Sequence, residues 1–76
     1  MSTISPDEAF VLMKNIVWNH PKRHRQIILL ILYYELSTID VADILKMDVA
    51  RVDRIYFRIV ARLRMRMEQE GYYGFL

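Results

Sequence analysis

Arginine recurs at positions 51, 54, 58 and 62, in steps of three and four residues that bring the guanidinium groups onto one side of a helix. A guanidinium is planar, permanently charged and carries a fixed fork of donors, so its natural partners are oxyanions and the O6/N7 edge of guanine. Arg51 and Arg54 fall in the first two turns of such a helix, where side chains reach base edges. Arg58 and Arg62 fall farther along, where phosphate is the expected contact. Ile55, beside them, is suited to a thymine methyl. Residues 51–66 carry six arginines against Asp53 alone, whereas residues 1–50 carry five cations against six carboxylates. The formal charge of +2 is therefore gathered on one helix, which suits a phosphate-bearing partner better than a dispersed charge would.

A row of arginines can read a sequence only if something holds it in place. The stretch from Ser37 to Arg58 predicts two helices joined by a tight turn. Ser37 caps the first, over about 38–46, with Asp40 in the acidic position of a capping box. Leu45-Lys46-Met47-Asp48 makes the turn, and Asp48 caps a second helix over about 49–69 that Gly71 ends. A short helix, a brief turn and a longer basic helix form a helix-turn-helix. At 100° per residue Val52, Tyr56, Ile59, Leu63 and Met67 make the core side of the long helix, and the arginines, with Arg66, make another side. Phe57 lies off both.

Two helices are expected before this unit. Ser5-Pro6-Asp7-Glu8 opens one over about 6–18, with Ser as cap, Pro at the first position and acids at the positive end of the dipole. Its core stripe is Phe10, Met13 and Val17, widened by Ala9, Leu12 and Ile16, and Asn19-His20-Pro21 ends it. The next is expected over about 21–35. Its run from Ile27 to Tyr34 is apolar on every face and fits a buried strand by composition, but its length and the lack of a pairing strand favour a helix covered by its neighbours or by another chain. Lys22, Arg23 and Arg25 crowd its start, where cations oppose the dipole at roughly 0.3–1 kcal/mol each. The local fold does not ask for them, which leaves either an anion such as a DNA phosphate or plain solvation as their use. The tail brings Tyr72, Tyr73, Phe75 and Leu76 together after Gly71, too apolar for a solvated end. With Phe57 they are the candidate partner-binding residues.

The expected fold is all-α, a single domain of four to five helices over residues 1–76. An apolar share of 54% is high for so small a body and implies that some apolar surface meets a partner. The chain has no cysteine, so disulfides and thiolate metal sites are excluded. The first ten residues show no signal-peptide pattern, and the eight-residue apolar run is far short of the roughly 20 residues that span a bilayer. The expected location is cytoplasmic, without a membrane partner. Catalysis is not expected. Glycine occurs only at 71 and 74, so there is no phosphate-cradling loop, and His20 and His24 lack an obvious third metal ligand. No cofactor is expected.

From about Trp18 to Arg66 the chain resembles region 4 of the bacterial sigma-70 family, the helix-turn-helix domain that reads the −35 promoter element. The resemblance rests on Pro21, Arg25, Gln26, Ile28, Leu29, Tyr33, Tyr34 and Glu35 in order, then Leu36-Ser37, Val41-Ala42, Ile44-Leu45, Val49, Val52, Arg58 and Ala61-Arg62-Leu63-Arg64. It implies a small DNA-binding transcription regulator that presents the helix over about 49–69 to the major groove, with Arg25 joining the phosphate contacts. It equally implies the alternative of a sigma-like protein-binding module that docks on RNA polymerase or on a sigma or anti-sigma partner without reading DNA. Departures are local. The glycine usual before Leu-Ser is missing, so Glu35 runs straight into Leu36, and Lys46 replaces the turn glycine. Asp53 and Ile55 stand where the family often has Lys and Arg. The resemblance makes double-stranded DNA and RNA polymerase or a sigma or anti-sigma protein the expected partners, and the excess apolar surface adds a second copy of the chain.

Overall fold

The computed structural model describes residues 4–74, so Phe75 and Leu76 lie outside the described residues. Among these residues the chain is all-helical: α1 (Pro6–Trp18), α2 (Lys22–Ile28) running directly into a π-helical segment (Leu29–Tyr33), α3 (Thr38–Leu45) and α4 (Val49–Gln69). No helix among them is long and apolar enough to cross a membrane.

The helix starts follow from their caps. Ser5 Oγ accepts the Glu8 N–H while Glu8 Oε1 accepts the Ser5 N–H, both at 3.2 Å, and Pro6 follows at the first helical position. Ser37 Oγ accepts the Asp40 N–H at 3.1 Å and Asp48 Oδ1 the Ala50 N–H at 3.2 Å, each satisfying an otherwise unpaired donor. At Ser37 only this forward half of the expected capping box forms.

The helix ends share one device. After α4 the Tyr72 N–H reaches the Met67 carbonyl at 2.8 Å and the Gly71 N–H reaches Glu68 at 3.0 Å, with Gly71 at φ 94°. This is a Schellman motif, in which a left-handed residue turns the chain off the helix. After α3 the same two bonds recur, Met47 to Ala42 at 2.8 Å and Lys46 to Asp43 at 3.3 Å. Here Lys46 takes the left-handed position at φ 56°, ψ 49°. Glu35 is also left-handed, at φ 58°. Lys46 and Glu35 are the non-glycine residues at positive φ among the described residues.

The helix expected over 21–35 is α-helical only to Ile28. Beyond it the turn widens, and the Tyr34 N–H bonds the Leu29 carbonyl five residues back at 3.2 Å. Widening rotates each later side chain relative to an α-helix. Leu30 and Ile31 turn to one side, Leu32 to another, and Leu29, Tyr33 and Tyr34 remain exposed. The apolar run is therefore not wholly covered by its neighbours.

Two clusters form the core. Ile27, Val41, Ala42 and Val52 join α2, α3 and the start of α4, while Ile28, Ile59, Val60 and Leu63 join α2 to the middle of α4, with Met13, Ile16 and Val17 of α1 packed alongside. Ile55 and Tyr56 pack against both clusters. The expected core side of α4 is buried as its spacing implied, with Tyr56 half-buried and Val60 added. On α1 only Ala9 is fully buried, and Phe10 departs from the core stripe at 51% exposure.

Candidate nucleic-acid interface

The basic side of α4 is positioned by what its opposite side buries. Val52, Ile59 and Leu63 are almost completely buried, and Arg54 lies about 140–180° round the helix from them at 100° per residue. Arg54 therefore projects directly outward. Arg51, Arg58 and Arg62 follow one flank of this outward side, and all four are exposed. Asp53 lies about 200° round from Arg51, half-buried on the other flank, so the acid does not interrupt the arginine row. Phe57 is 67% exposed and meets the Tyr56 ring edge-on at 5.6 Å between centroids. Ile55 differs from the expectation of a free base contact: it is half-buried and packs against both core clusters.

The turn between α3 and α4 sets where the arginine row begins. Lys46 reverses the chain, Met47 packs into the cluster that holds Ala42 and Val52, and Asp48 caps α4. Arg51 and Arg54 then occupy the first two turns of α4. Arg23 adds a tie from outside the unit, its guanidinium donating to the Leu45 carbonyl at the end of α3 at 3.3 Å. A cation there also meets the negative end of the α3 dipole.

Arg25 is drawn into a structural role. One of its guanidinium nitrogens donates to the carbonyls of Trp18, at 3.1 Å, and His20, at 3.3 Å, and the group stacks 4.7 Å from the Trp18 ring. It thereby caps the end of α1 and holds the α1–α2 connection. A phosphate contact from Arg25 would have to come from its other guanidinium nitrogens.

His24 is a member of the site that the sequence did not single out. It lies one turn before Ile28, which packs on Ile59, Val60 and Leu63, and so stands beside the arginines next to those residues. Partial burial, then His20, whose ring is 6.5 Å away, then Arg58, Arg51 and Arg62 push the His24 imidazole below its usual range. α2 packs against α4 through Ile28 on Ile59, Val60 and Leu63, and the field of the nearby arginines reaches the ring. The readable signal was the pair Arg23-His24 one turn ahead of Ile27-Ile28, which is visible only once α2 is known to lie on α4. Among the described residues no group of three or more His, Asp or Glu side chains is arranged to hold a metal ion.

The tail residues separate. Tyr72 is half-buried beside the end of α4, and Tyr73 is exposed. No family model, curated protein or solved structure matches the chain.

Proposed function

We propose that this chain is a small DNA-binding transcription regulator that sets the first turns of α4 in the major groove. The carrying observation is the exposed row of Arg51, Arg54, Arg58 and Arg62 on the side of α4 away from the core, directly after a tight turn closed by Lys46 and Asp48. In this role Arg54 and Arg51 contact base edges, while Arg58 and Arg62 neutralise phosphates along the strand. The resemblance to region 4 of the sigma-70 family supports the same assignment. The deciding experiment is the affinity for random duplex DNA at two salt concentrations. Neutralising the two phosphates assigned to Arg58 and Arg62 gives a log–log slope of about −2. Weak binding with no salt dependence would remove DNA as the partner.

A protein-docking role is supported by a separate feature, an apolar groove of about 710 Å³ between α1 and the α2–π-helical arm. It is lined by Phe10, Met13, Val17, Trp18, Leu29 and Tyr33 among others. The two roles use different sides of the chain's basic and apolar chemistry and can coexist.

A further inference from the structure

The groove exposes large side chains that the core leaves uncovered: Phe10, Leu29, Tyr33 and Trp18, the last at 72%. A contiguous apolar surface of this kind marks an interaction site. Its two ends differ in charge. At the end where α1 begins stand Asp7 and Glu8, and Glu35 follows just past the π-helical segment. At the closed end, where α1 turns into α2, stand Lys22 and Arg25, both on the groove lining. Lys14 lies between, its ammonium 5.4 Å from the Phe10 ring centre.

We propose that the groove seats a second copy of this chain, with the two α1 helices antiparallel about a two-fold axis. This goes beyond the DNA-binding role, does not depend on it, and names the occupant for the docking role. A two-fold interface must be complementary to itself, and this groove is. Antiparallel pairing sets Phe10 of each copy against Val17 of the other and carries each Asp7 toward Lys22 and Arg25 of the other copy. Parallel pairing would instead place acid on acid and base on base. The two Lys14 side chains flank the axis, and their long stems let the charged ends reach water over Phe10. The antiparallel arrangement covers the exposed aromatic residues on both chains at once.

Sedimentation velocity on the full-length chain from about 1 to 300 μM tests this, because association appears only as concentration rises. A monomer–dimer equilibrium is expected, and Leu29→Lys should shift it to monomer with helical circular dichroism unchanged. Asp7→Lys and Lys22→Glu should each weaken the dimer about tenfold, since every reversal acts twice across the axis. The double variant D7K/K22E should recover most of the loss, a result that a structural effect of either change would not produce. Phe57→Ser should leave the dimer intact. A monomer at every concentration overturns the proposal, and so does a dimer that resists Leu29→Lys and the charge reversals but dissociates with Phe57→Ser. Seating of a different protein in the groove of a chain that stays monomeric alone also overturns it.

Discussion

Arg54 and Arg58 differ by little more than one turn, yet the proposed DNA-binding role gives them different tasks. Arg54 points straight away from the core, which in the proposed role sets it toward base edges, whereas Arg58 lies on the flank nearer His24. Arg54→Ala is expected to weaken the preferred site by about 10- to 100-fold while changing random duplex little. Arg58→Ala should weaken both alike and make the salt slope shallower by about one. Competition binding at two salt concentrations separates the outcomes, and equal losses for Arg54→Ala would remove it from base reading. His24 supplies a pH test. Burial, His20 and the arginines hold its imidazole below the usual value of 6.5, so the native state binds fewer protons than the unfolded chain. Stability should then fall as the pH drops through that value and level off below the folded-state value. His24→Gln should lose less Tm than the parent between about pH 7.5 and 5.5, measured by thermal melts in matched ionic strength. At this scale the sequence was informative wherever one helix was enough, since arginine spacing alone defines a face. It did not show where His24 lies or the structural uses of Arg23 and Arg25, because each depends on which helix lies across from it. Ile55 shows the same limit: its neighbours in sequence are arginines, but its neighbours in space are two core clusters.

The helices themselves were legible because their starts are written in local chemistry. Ser5, Ser37 and Asp48 cap where their types and following residues predict, and α1 and α4 keep the expected bounds. What was not legible is the interior of an apolar run. From Ile27 to Tyr34 no polar residue marks a phase, so nothing distinguishes a 3.6-residue turn from a wider one, and the π-helical segment sends Leu30 and Ile31 to one cluster and Leu32 to the other. Phe10 was hidden by the same uniformity, since it shares a stripe with Met13 and Val17 but opens onto the groove. Strain at the element scale is testable at Lys46, which occupies the position that Gly71 holds after α4. A left-handed non-glycine residue costs about 1–2 kcal/mol, partly offset in a glycine variant by its freer unfolded chain. Lys46→Gly is therefore expected to stabilise the fold by about 0.5–1 kcal/mol, a rise in Tm of about 3–6 °C. Lys46→Ala, which removes the charge but keeps the strain, should give no such gain. Denaturant melts of both variants decide between strain and charge.

Across the whole molecule, burial is uneven. The clusters that join α2, α3 and α4 contain nearly all the fully buried side chains, and α1 contributes only Ala9 to that set. Ile55 and Tyr56 lie in both clusters, on one uninterrupted helix. In the language of amide hydrogen exchange, this sharing leaves no seam along which one cluster can open while the other stays closed. The amides of Ile27, Val41, Val52 and Leu63 should exchange at one common, slowest rate, that of global unfolding. Amides in the middle of α1 should exchange about 10- to 100-fold faster through separate opening, and at concentrations where the groove is filled by a second copy that gap should narrow. Native-state exchange at two protein concentrations reads both effects, and two distinct slow rates for Val41 and Leu63 would show that Ile55 and Tyr56 do not couple the clusters. The paired residues thus set the tempo of the fold: whatever α1 does on its own, the arginine row and its supports appear and disappear together.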